Sequence, residues 1–336
     1  MFALAFRFPA GRYHATPWGR NVNEADIAWP PEPWRLLRAL IAAYWRKGDH
    51  ERWPHEALGR LIDVLSETLP VYRLPTGAIH SHTRHYMPQA RGKTTLVFDA
   101  FAKIPEQGSI VAAWPAATLD ANLSSLATDL AEAIGYLGRA ESWTECEALD
   151  DWDGEPNCCP VETGFRGDSV RLLAPLQPAV YAGERNRLIV GERERIRNAA
   201  KKPPSEKKLE TEVAKALRSK ASGLDTLPER LVDALALDTA DHQDRGWHRP
   251  PAAREVLYAR GEQAAPVVVP RIRRKRVVSK TGAKMPTLAR YLLAGRPRPR
   301  VEDTVRIGEL MRLAALSQFG WRFDASTDRR IPKAPS

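Results

Sequence analysis

"TTLVFDAFAKIPEQGSIVAAWP", Thr94 to Pro115, carries two apolar runs separated by Pro105, Glu106, Gln107 and Gly108. Val97, Phe98 and Phe101 in the first run, with Ile110, Val111 and Trp114 in the second, are β-branched or aromatic, which suits a half-buried pleated surface. The break has the proline and glycine of a turn. The stretch therefore reads as two successive strands. Upstream, "EPWRLLRALIAAYWRKG", 32–48, has Trp34, Leu37, Leu40, Ile41, Tyr44 and Trp45 at helical spacing, and Pro33 fits a first helical turn. "PHEALGRLIDVLSETLP", 54–70, predicts a second helix with Leu58, Leu61, Ile62 and Leu65 inward. "FALAFRF", 2–8, predicts the first strand.

Downstream, "TLDANLSSLATDLAEAIGYLGRA", 118–140, predicts a helix started by Asp120 or Asn122, and "SWTECEALD", 142–150, a short strand. The order is β–α–α–β–β–α–β, which places the chain in the α+β class. With one helix treated as inserted, it is compatible with a ferredoxin-like (RRM-like) N-terminal domain over residues 1–150. Residues 151–336 read as a second, mixed segment packed on the first. It has helices after Pro204 and in "LPERLVDALALDTA", 227–240, and strands in "AREVLYAR", 253–260, and "APVVVPRIRRKRVV", 265–278. A last helix, "EDTVRIGELMRLAALSQFG", 302–320, has Gly320 as its stop.

Formal net charge is +10 and 43% of residues are hydrophobic, so the chain has the makings of a core and favours a polyanionic partner. Cys146, Cys158 and Cys159 are an odd number with two adjacent, which argues against a disulfide framework. No apolar run reaches the ~18 residues of a membrane span, and no signal peptide is visible. The expectation is a cytoplasmic protein without membrane contact. The sequence contains no GxGxxG, Walker A, HExxH or GxSxG pattern. No metal, cofactor or catalytic residue is assigned.

"GAIHSHTRHYMPQARGK", 77–93, reads as a connection holding His80, His82 and His85. A metal site, acid–base chemistry, a structural role and anion contact are all open readings. Against metal, no Asp, Glu or Cys lies between Glu67 and Asp99, and Arg84 and Arg91 repel a cation. Acid–base work by His82 or His85 lacks a visible companion acid. Anion contact fits best: His82, Arg84, His85 and Tyr86 combine donors, charge and flat rings. The loop after the first strand has the same character in Arg12, Tyr13, His14, Trp18 and Arg20. Residues 271–300 hold eleven Arg or Lys and no Asp or Glu. Such a one-sign run repels itself unless a polyanion neutralises it. Arg273, Arg274, Lys275, Arg276 and Lys280 are its candidate contacts, in a basic arm spanning 265–300.

"GRYHATPWGRNVNEADIAWPPEPWRLLRAL", 11–40, and "HTRHYMP", 82–88, resemble the type I-G (formerly I-U) CRISPR-associated family that fuses a Cas-five-like to a Cas-six-like half. The resemblance is to the Cas-five-like N-terminal half. It implies a subunit of an RNA-guided surveillance complex that grips the 5′ handle of the guide (CRISPR) RNA and caps the backbone filament. The implied partners are Cas-seven-like backbone subunits, a Cas-eight-like large subunit, the Cas-six-like half, and target DNA. The G-H-x-H-A motif of the family's RNA-processing half does not occur in this chain. A metal-independent endoribonuclease and a pure protein adaptor are the alternative readings.

Overall fold

The structure, a computed structural model, describes residues 1–20, 26–88, 94–200, 204–268, 304–319, 321–324 and 329–332. The chain divides into two units, residues 1–271 and 272–336. The first opens with β1 (Phe2–Arg7), β2 (Arg12–Tyr13), α1 (Pro33–Lys47), α2 (His55–Glu67) and β3 (Val71–Arg73). A long hairpin follows, β4 (Ile79–Pro88) and β5 (Thr94–Lys103), then β6 (Ser109–Trp114), α3 (Ala121–Ala133) and β7 (Glu145–Leu149). Next come β8 (Cys158–Val161), β9 (Ser169–Pro175), α4 (Pro178–Ala199), α5 (Glu206–Ala216), α6 (Leu231–Ala236) and α7 (Thr239–Asp244). β10 (Ala253–Arg260) and β11 (Val267–Val268) close the unit.

Seven strands form one sheet in the order β7-β1-β6-β3-β8-β10-β9, every pairing antiparallel. Phe2, Leu4 and Phe6 of β1 face the main core with α1, α2 and α3, whereas Ala3 faces the other side with Val111 and Ala113. This follows the period-2 alternation of a strand. α1 starts at Pro33, whose missing N–H costs nothing there. It buries Trp34, Leu36, Leu37, Leu40, Ile41 and Tyr44. Each such side chain contributes roughly 1.5–3 kcal/mol of transfer free energy. Trp45, expected on the same inward face, is instead 55% exposed. α3 is capped by Asp120, whose carboxylate accepts from the Leu123 N–H at 2.8 Å.

The α+β class holds. Several details differ from the sequence reading or were not given by it. The histidine segment is not a connection but strand β4, paired with β5 along its full length. The two runs 94–103 and 109–114 are not neighbours: β5 belongs to a four-stranded sheet, β11-β4-β5-β2, and β6 to the seven-stranded one. β6 lies between β1 and β3, the latter a short strand from "VYR" that no sequence pattern above marked. The boundary expected near residue 150 lies inside the first unit, where β8, β9 and β10 continue the same sheet. The helix read over 227–240 breaks at Leu237 and Asp238 into α6 and α7.

The second unit contains α8 (Thr304–Phe319) and an antiparallel pair, β12 (Trp321–Asp324) with β13 (Arg329–Pro332). Gly320 and the basic run 271–300 lie outside the described residues.

Candidate nucleic-acid interface

Among the described residues, the β4–β5 hairpin is flanked at its base. β11 pairs in parallel with Ile79 and His80, and β2 pairs with Lys103 and Ala102. Among the described residues, the eight pairs from Ser81↔Phe101 to Pro88↔Thr94 have no flanking strand. At ~3.4 Å per residue they reach about 25 Å.

Register sorts the side chains. His80, His82, Arg84 and Tyr86 lie opposite Ala102, Ala100, Phe98 and Leu96. Directly opposed residues share a face, so these four form one set. Within it the His82 and Phe98 rings lie 6.1 Å apart, and the Arg84 guanidinium sits 5.3 Å from the Phe98 ring centre. His82 and Arg84 are exposed, and Tyr86 is 69% exposed. His85 falls in the alternate register set, opposite Val97.

Two members of that alternate set, Phe101 and Asp99, contact the body. Arg12 of β2 stacks its guanidinium 4.2 Å from the Phe101 ring centre, and its Nε is buried with no hydrogen-bond partner. Asp99 pairs with Arg139 at 2.9 Å. Arg139 follows Gly138, whose φ of +86° suits glycine. A Cβ there would collide with the His14 carbonyl, which accepts from the Arg139 N–H at 2.8 Å. The hairpin is thus tied to the body near its base, where Ala100 and Ala102 opposite His82 and His80 are buried in the core, and it carries His82, Arg84 and Tyr86 exposed beyond that point.

The loop candidates divide. Tyr13 is fully buried against Phe8 and Trp29, and burial pushes its phenol pKa up. His14 is also buried; its Nδ1 is 2.7 Å from Glu141, and its backbone N–H donates to Ser142 Oγ. Both side chains are therefore part of the packing that holds β2. Trp18 and Arg20 instead line a cleft of about 500 Å³ with Arg35, Arg139, Trp247 and His248. Trp18 Nε1 donates to the His248 carbonyl at 3.0 Å, and Arg20 lies 3.5 Å from Asp26. Arg139 lines this cleft and also pairs with the hairpin, so the two features adjoin.

Phe98, Leu96, Arg35, Arg139, Trp247 and His248 were not singled out from the sequence. For the first two the signal was present: His80, His82, Arg84 and Tyr86 alternate as a strand does, and a strand needs a partner. Arg273, Arg274, Lys275, Arg276 and Lys280 lie outside the described residues. Among the described residues, no group of three or more His, Cys, Asp or Glu is placed to hold a metal ion. Nor is any helix among them long and apolar enough to cross a membrane. No protein-family model matches the chain, and a search of the curated proteins finds no relative.

Proposed function

We propose that this chain is a CRISPR RNA-binding subunit of a type I-G surveillance complex, holding the 5′ handle of the guide RNA and capping the backbone filament. The observation that carries the reading is the exposed register set His82–Arg84–Tyr86, laid over Leu96 and Phe98 on the β4–β5 hairpin. Unstacked RNA bases need flat faces, and its backbone needs cations. This strip offers both at strand spacing. The cleft around Trp18, Arg20 and Arg139 lies beside the hairpin's base and extends the same chemistry. The order β7-β1-β6-β3, with helices on the connections β1→β3 and β6→β7, supports a ferredoxin-like reading of the N-terminal part. The hairpin is then an insertion between its second and third strands. Partners on this reading are the backbone, large and Cas-six-like components named above, in a cytoplasmic ribonucleoprotein.

The test is fluorescence anisotropy of the full chain with a labelled RNA carrying the handle of its own CRISPR array, against an unrelated strand. Stacking losses of about 1–3 kcal/mol per base translate into affinity at least about fivefold weaker for Tyr86→Ala, with a similar loss for Arg84→Ala. Equal affinity for both RNAs, or variants that bind like the parent, would overturn the proposal. Discrete cleavage of precursor RNA in EDTA would overturn its non-catalytic part.

A further inference from the structure

A second recess, of about 440 Å³, runs along α1 between that helix, the turn after α3, and α6; it adjoins the cleft through Trp18, Arg35, Gly138 and Thr239, and its far end lies at the C-terminus of α1. Its floor is aliphatic, with Ala39, Ala42, Ala133 and Leu235 among the lining residues. Trp45 and Tyr136 stand at its rim, 55% and 36% exposed. The lining holds four cations, Arg35, Arg38, Arg46 and Lys47, and two carboxylates, Glu32 and Asp238.

These cations are not equivalent. Arg35 donates to Glu32 at 3.2 Å and to the Thr16 carbonyl at 2.7 Å. Arg38 donates to the carbonyls of Leu235 and Leu237. Both are consumed within the fold. Arg46 lies against the Tyr136 ring, 5.6 Å from its centre, and donates to the Tyr136 hydroxyl at 2.5 Å, a neutral partner that leaves its charge unbalanced, and Lys47 reaches over Gly135. The excess positive charge therefore sits at one end only, at exposed residues of the last turn of α1. Part of that charge offsets the helix macrodipole.

We infer that this recess docks an acidic protein segment, taking an aliphatic side chain on the alanine floor and a neighbouring carboxylate on Arg46 and Lys47. Volume and lining match a pocket for an anchor residue with exposed aromatics around it. A nucleic-acid strand fits less well. It carries a charge on every nucleotide, and beyond Lys47 it would meet aliphatic wall and guanidiniums already bound.

The experiment uses the full chain and a short fluorescein-labelled peptide of leucine and glutamate, read by anisotropy. The peptide binds the parent chain. Its affinity falls about tenfold, or 1.4 kcal/mol, in Lys47→Glu, which alters only an exposed side chain, and in Ala133→Phe, which fills the floor. The glutamine version of the peptide binds at least about tenfold more weakly, and Arg84→Ala leaves peptide binding unchanged, which separates this site from the RNA proposal. No binding to the parent, equal binding of the glutamine peptide, or no effect of Lys47→Glu overturns the inference. So does competitive displacement by polyuridylate that is itself lost in Lys47→Glu, which would make the recess a nucleic-acid surface.

Discussion

His14 is 2% exposed, and desolvation outweighs its bond to Glu141, so its pKa is lowered from the ordinary 6.5. The ring is neutral, and since a carboxylate only accepts, Nδ1 carries the proton it donates. Glu141 is lowered too: burial opposes this, but the bonds from its own backbone N–H and from His14 prevail. For both groups the unfolded chain takes up a proton before the folded one as pH falls. The stability His14 contributes is complete above pH 6.5 and is lost below it, toward its folded pKa. The Glu141 contribution is lost only further down, below 4.5. The urea midpoint should therefore fall between about pH 7.5 and 5.5, and His14→Gln, which keeps a donor that does not titrate, should flatten that slope. An unchanged slope in the variant would assign the effect to another group. The sequence offered His14 and Tyr13 as ligands because rings and donors in a loop look alike whether packed or free. Only the surface closing over them withdrew them.

The hairpin makes the corresponding point for an element. β5 was legible from its aromatic and β-branched residues, but β4 was not, because histidines, an arginine and a threonine do not announce a strand. Its alternation is of polar rings and cations rather than of apolar and polar residues. What turns it into a strand is pairing with β5, and what orients the pair is Asp99 on Arg139. Asp99 is 14% exposed at its side chain, between the surface and the buried regime. Arg139→Ala should cost roughly 1–2 kcal/mol. Amide exchange should quicken in 94–103 while the amides of β1 and β6, in the other sheet, hold their protection. Uniform loosening of both sheets would show that Arg139 serves the whole core rather than the hairpin.

At the scale of the molecule, the charge of +10 should appear as salt dependence. For a single strand each phosphate neutralised adds about 0.7 to the slope of log affinity against log salt. Arg84→Glu should flatten the slope by about that amount or more, and a slope it leaves untouched would remove Arg84 from the interface. The sequence by itself determined the α+β class, the helices α1, α2 and α3, and the strands β1, β5, β6 and β7; it narrowed the start of α3 to Asp120 or Asn122, and the structure shows Asp120. Those follow from local periodicity, caps and breakers, which act over a few residues. Tertiary structure decided that β6 lies between β1 and β3 rather than beside β5, that the sheet continues past residue 150 through β8, β10 and β9, and that His82, Arg84 and Tyr86 are exposed on one register set while Tyr13 and His14 are buried. Strand partners are chosen by burying one face of each against the same core, a choice made among segments far apart in the chain. A one-residue change of register would have sent the other set of side chains outward.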